Sequence, residues 1–311
     1  MRIKQFFYSV VLGLCLPFSS APADAEIALV LGYEGMARYA SAVSSADSPD
    51  RGALADEHIY SAYFDRCSGE GNRRSMSRET LSTPAEDVSA LSEVIKQIQQ
   101  SDAIERIQDA ANTANELLPI DELTICVFAV PPDSGMADFV VNTFNGVFGF
   151  VESPGVLWMQ LLPTEGWLDE IYPGFAHEYY HAAAHPDNPM GTNEITLLDL
   201  LVNEGGADSF AAILYPDFVP SWTRAISLEQ EIELWPRVQR ALNTNDFAVI
   251  QDYLYGDGES IPDQAGYTIG FQIVQGYLAA HPDDPPIVWS RVDPKVVLDE
   301  SGYTDRVALD Q

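Results

Sequence analysis

Phe175-Ala176-His177-Glu178-Tyr179-Tyr180-His181-Ala182-Ala183-Ala184-His185 is the stretch on which the reading of this chain turns. Ala, Tyr and Phe at the remaining positions suit a buried helix, and Pro186 supplies its stop. Residues four apart share one helix face, so the imidazoles of His177 and His181 can reach one metal ion. Glu178 is turned by about 100° from His177 and can address a water at that metal. The surrounding residues are apolar, which argues against a solvated polar face. The spacing is the His-Glu-x-x-His pattern of zinc hydrolases.

A catalytic zinc site takes three protein ligands and leaves a fourth position open. His185 lies eight residues past His177, about 12 Å along the same helix axis, too far to share the ion. No third His stands six residues beyond the second, so the metzincin pattern is excluded. Glu204, 23 residues after His181, is the better ligand. It interrupts the apolar helical run Leu197-Leu198-Asp199-Leu200-Leu201-Val202-Asn203-Glu204-Gly205-Gly206-Ala207-Asp208-Ser209-Phe210. A carboxylate there is costly unless it is paired or metal-bound. Asp208, four residues on, can face the same side and accept the ring N–H of a ligand histidine. Gly205, Gly206 and Ala207 would let this helix approach the first one closely.

Working outward, residues from about Ile27 to Ile120 read as helical, with Ser101-Asp102 dividing the periodic stretch Ala85 to Leu118 and a polar loop over Ser68 to Ser82. Leu123 to Val130 is a continuous apolar run closed by Pro131-Pro132 and reads as a buried strand. Phe139 to Phe144 and Val147 to Val151 flank Asn145-Gly146 and read as a hairpin, with Val156 to Leu162 a further strand. Helices then follow over Phe175 to His185, Glu194 to Leu214, Leu228 to Leu242, Phe247 to Leu254 and Gly266 to Ala280. The expectation is an α+β fold in which a small antiparallel sheet packs on the helical His-Glu-x-x-His core. The expected divisions are an export signal at 1–25, a helical portion at 26–120 and the metal-site domain at 121–311.

The chain has 311 residues with 47 Asp and Glu against 16 Lys and Arg, a formal net charge of −31. Such a field repels phosphate backbones and anionic lipid surfaces, so binding to nucleic acid or to an acidic membrane surface is disfavoured. Arg2 and Lys4 precede an apolar run of 13 residues, Phe6 to Phe18, and Ala23-Asp24-Ala25 forms an A-x-A cleavage site. The run is too short to span a bilayer. The expected product is secreted or periplasmic, with no stable membrane anchor once the signal is removed. Cys15 falls within that signal, leaving Cys67 and Cys126. They form either a disulfide, favoured by an oxidising compartment, or two separate buried thiols.

With these motifs in hand, the chain resembles the gluzincin metalloproteases, through His177-Glu178-x-x-His181 followed by Asn203-Glu204-x-x-x-Asp208. Together with Gly266-Tyr267-x-x-Gly270, these segments are similar to a bacterial family of predicted Zn-dependent proteases whose function is otherwise undefined. The resemblance covers roughly Leu123 to Ala280. It implies one Zn²⁺ per chain held by His177, His181 and Glu204, Glu178 as general base, and hydrolysis of a peptide or protein substrate. It also points to Tyr267 as the neutral donor to the developing oxyanion, with His281 as the runner-up. The Gly-x-Met-Glu-Asn motif of the large aminopeptidases has no counterpart here. Two rival readings are a non-catalytic metal-binding or chaperone-like periplasmic protein, and a zinc hydrolase of non-peptide amides.

Overall fold

The computed structural model describes residues 26–68, 83–184, 195–218 and 220–308. The expected export signal, most of the polar loop at 68–82, and His185 lie outside the described residues. The chain forms an α+β fold, mostly helical, around a four-stranded mixed sheet ordered β1-β2-β4-β3. The strands are β1 (Glu26–Leu31), β2 (Glu122–Ala129), β3 (Val147–Ser153) and β4 (Val156–Leu161).

β1 and β4 both run parallel to β2, and β3 alone is antiparallel, so the expected purely antiparallel sheet is corrected. The parallel β1–β2 pair also departs from the helical reading of the N-terminal stretch. The strand is six residues long, with only Gly32 between it and the helix α1 (Tyr33–Ser45), too short to separate its apolar pattern from that of the helix. The segment before residue 120 therefore contributes a strand to the sheet that lies beside the site.

The hairpin lies one element later than its Asn-Gly signal suggests. Ala137–Phe144 is a helix, and Asn145 (φ 48°) ends it in the left-handed conformation. The N–H groups of Asn145 and Gly146 close back on the carbonyls of Val141 and Val140. Asn with positive φ serves a helix C-terminus as readily as a tight hairpin. The hairpin turn is Pro154-Gly155, joining β3 to β4.

Helices cover both faces of the sheet. On one face, Cys126 of β2 is disulfide-bonded to Cys67, with Cα atoms 5.9 Å apart. Cys67 ends the helix Ser61–Cys67, and its carbonyl accepts the indole N–H of Trp158 on β4. On the other face, Gly149 and Met159 meet the helix α-site (Trp167–Ala184), which carries the His-Glu-x-x-His segment. Alternation of side chains along the strands separates these two contacts.

The α-site helix starts well before the expected Phe175 and runs through Pro173. Proline removes one ladder hydrogen bond. The carbonyl it leaves without a ladder donor is that of Asp169; the Arg106 guanidinium donates to the neighbouring Leu168 carbonyl at 3.1 Å. Burial of Ile171, Phe175 and Ala176 holds the helix on either side. The division at Ser101-Asp102 is as read: helices span Val88–Gln100 and Ala103–Leu117.

Candidate metal centre and cleft

Three elements build the site. The first is the α-site helix, which places His177 and His181 one turn apart. The second is the helix Leu197–Leu214, which carries Glu204 and Asp208. It starts at a capping box, with Thr196 and Asp199 exchanging side-chain and backbone hydrogen bonds. Its interior is buried almost all round, so Glu204 and Asp208 sit inside the protein. The third is the helix Ala265–Ala280, whose first turn carries Tyr267.

The side chains converge. His177 Nε2 and His181 Nε2 are 3.1 Å apart. Glu204 Oε2 lies 3.3 Å from His177 Nε2 and 3.6 Å from His181 Nε2. Tetrahedral zinc with bonds of about 2.0–2.1 Å separates neighbouring ligand atoms by about 3.3–3.4 Å. The two nitrogens and the oxygen therefore form a triangle of the right size to hold one such ion. This cluster is also where three potential metal-ligating groups gather within 4.8 Å of one another.

Electrostatics support the same grouping. Burial alone would lower the His177 value, but Asp208, Glu204 and Glu178 together hold it well above the ordinary imidazole range. Burial would raise the Glu204 carboxyl, yet the two imidazoles keep it well below the usual carboxylate range. Among protein groups alone, the carboxylates around His177 favour its charged form, and the imidazoles favour the charged form of Glu204. A metal ion bound at this triangle would displace the Nε2 proton of His177.

Asp208 is fully buried and lies 2.9 Å from His177 Nδ1. This contact assigns the proton to Nδ1 and leaves Nε2 facing Glu204 and His181. Asp208 also accepts the indole N–H of Trp222.

Glu178 lines the same cleft from the α-site helix. A Cβ added at Gly149 of β3 would lie 2.4 Å from Glu178 Cγ, so the bare backbone of this strand makes room for the carboxylate. Tyr267 lines the cleft too, its hydroxyl 3.2 Å from that of Tyr255. Burial and then the Glu204 charge push the Tyr267 hydroxyl well above its ordinary value, so it stays protonated and able to donate. His281 is elsewhere: it pairs with Glu300 at 2.8 Å after the end of that helix and does not line the cleft.

The glycines around these residues serve packing. Gly205 faces Gly270 of the Tyr267 helix, where an added Cβ would lie 2.1 Å from the Gly270 carbonyl oxygen. Gly206 faces the Tyr180 ring of the α-site helix. Gly266 meets the Tyr253 carbonyl and so brings two helices together.

The cleft has a volume of about 240 Å³. One wall is aromatic: Phe139, Phe144, Phe148 and Phe150 stand ring against ring, 5.1–5.7 Å between neighbouring centroids. β3, one of the sheet's two edge strands, lies along the cleft, whereas β4 is enclosed between β2 and β3. The sequence reading passed over Tyr255 and Trp222. Tyr255 ends the helix Phe247–Tyr255 with no motif around it, and Trp222 stands on a single turn, Ser221–Arg224. Only tertiary packing brings them here.

The chain belongs to the family described as "Predicted Zn-dependent protease (DUF2268)", whose model matches residues 103–299. The match begins earlier and ends later than the stretch on which the resemblance was read. The chain is also similar to the uncharacterized protein YjfC of Bacillus subtilis (strain 168), at 24% identity over 168 residues. That alignment covers 51% of this chain and 56% of the relative, so the chain spans about half the length of the curated protein it matches. No solved structure matches it.

Proposed function

We propose that the protein is an exported zinc-dependent peptidase, with a zincin-like site that hydrolyses peptide bonds. The observation that carries this reading is the triangle of His177 Nε2, His181 Nε2 and Glu204 Oε2 at the floor of a cleft that also holds Glu178. These three residues would hold one zinc ion, which supplies Lewis acidity toward the scissile carbonyl and the attacking water. Glu178 takes the proton of that water and returns it to the leaving amine. Asp208 holds the His177 ring in the tautomer that offers Nε2. Tyr267 donates its hydroxyl proton in a hydrogen bond to the developing oxyanion. An extended peptide lies along the open edge of β3, its backbone pairing with the strand.

The basic and apolar start of the sequence and its A-x-A site support export, to the periplasm or beyond. The division into a signal, an N-terminal portion and a metal-site domain is part of the same proposal. The substrate class is peptide or protein, since an edge strand beside the site suits an extended chain.

The experiment pairs zinc analysis with a proteomic cleavage screen of the purified protein. Wild type should carry about one zinc per chain, and Glu204→Ala should lose most of it. Glu178→Gln should keep its zinc while turnover falls by at least about a hundredfold. Zinc-loaded wild type that cleaves nothing across such a screen would turn the reading toward metal binding without catalysis.

A further inference from the structure

Trp222 belongs to none of the motifs, yet its geometry is tightly specified. Its indole N–H donates to both carboxylate oxygens of Asp208, at 3.0 and 3.1 Å. Asp208 is 0% exposed, and its Oδ1 is also the partner of His177 Nδ1. A fully buried carboxylate needs its donors, and losing one leaves it both under-satisfied and free to turn.

The turn that carries Trp222 is itself clamped. The Thr268 hydroxyl donates to the Trp222 carbonyl at 2.8 Å and accepts the Ala225 N–H at 2.9 Å. Thr268 follows Tyr267 directly, so one helix presents Tyr267 to the cleft and fixes the backbone of Trp222. The indole also lines the cleft, its ring centroid 5.9 Å from that of Phe144. A phenyl ring would serve an apolar wall equally well. It would give Asp208 no donor.

We propose that Trp222 is a positioning residue, fixing the Asp208 carboxylate and through it the orientation in which His177 presents Nε2 to the metal. The proposal rests on the zinc reading of the site and extends it by one residue outward. Trp222 acts only through Asp208, so its contribution disappears when Asp208 is gone.

The test measures zinc affinity of the full chain by competition with a chromogenic chelator. Trp222→Phe should weaken zinc binding by about tenfold or more. Replacing Trp222 with benzothienylalanine, which keeps the bicyclic shape but lacks the N–H, should do the same at unchanged circular dichroism. Asp208→Ala should weaken binding as well, and adding Trp222→Phe to it should change affinity by less than about twofold, the non-additivity of residues acting in one chain. In the cobalt-substituted protein, the visible absorption bands should move in the benzothienylalanine variant, a change that a purely structural wall would not produce. Wild-type zinc affinity in that variant overturns the proposal and leaves the peptidase reading intact. Equal losses from Trp222→Phe with and without Asp208 overturn it too, since Trp222 would then act by another route. Wild type that binds no zinc overturns both readings together.

Discussion

His177 and Glu204 respond to pH in opposite senses, and the pair makes a prediction for the zinc-free protein. The folded value of His177 lies above the ordinary 6.5, so its contribution to stability is full below 6.5 and is lost as pH rises through the raised value. The folded value of Glu204 lies below the ordinary 4.5, so its contribution is full above 4.5 and is lost as pH falls through the lowered value. Both contributions are complete between 4.5 and 6.5. Melting in the presence of a chelator should give its highest Tm in that window and a falling one as pH rises through the raised His177 value. Zinc competes with the His177 proton, so zinc affinity should rise over the same interval. A chelated protein whose Tm climbs steadily into alkali would contradict this assignment of charges. Gly149 supports a second test at the same scale. A methyl there meets Glu178 Cγ at 2.4 Å, so Gly149→Ala should displace the carboxylate and lower turnover at least about tenfold with zinc retained. Equal loss of zinc and turnover would mean that the strand itself had moved.

Among the elements, the helix carrying Glu204 and the one carrying Tyr267 approach backbone to backbone. A Cβ at Gly270 would lie 2.1 Å from the Leu201 carbonyl oxygen, and neither main chain can give way cheaply. Gly270→Ala should cost about 2–4 kcal/mol, read as a shift in denaturation midpoint, because the helices must separate. A change below about 0.5 kcal/mol would show that they are free to slide. The His-Glu-x-x-His helix, the Glu204 helix and the central strand were the most legible elements in the sequence. Long apolar runs such as Leu123 to Val130, and motif residues at fixed helical spacing, leave few alternatives. Phe139 to Phe144 was misread because aromatic and β-branched residues favour strands locally, while burial of Ala137 and Val140 on one face made it a helix. The gathering of His177, His181 and Glu204 was legible because one helical turn fixes two of them. Trp222 and Tyr255 were not, since their places depend on how separate helices pack.

At the scale of the molecule, the disulfide joins the helix Ser61–Cys67 to the centre of the sheet across a separation of 59 residues. In the loop-entropy model such a link contributes about 4 kcal/mol. Cys67→Ser with Cys126→Ser should lower unfolding free energy by roughly that amount, measured in denaturant, while leaving zinc content unchanged in the folded protein. An equally stable double variant would place the stabilisation in packing alone. The pairing was open on the sequence, because Cys126 in an apolar strand suits a buried thiol equally well. Its resolution required knowing that the helix ending at Cys67 crosses β2. The parallel pairing of β1 with β2 has a consequence for how the chain is made. Glu26 to Leu31 leaves the ribosome early, and its partner Glu122 to Ala129 follows only after ninety intervening residues. Until then the leading strand has no neighbour for its amides, and helices that emerge in between must wait for a sheet to rest on. Pairing of these two strands is therefore a late, long-range event in the growing chain.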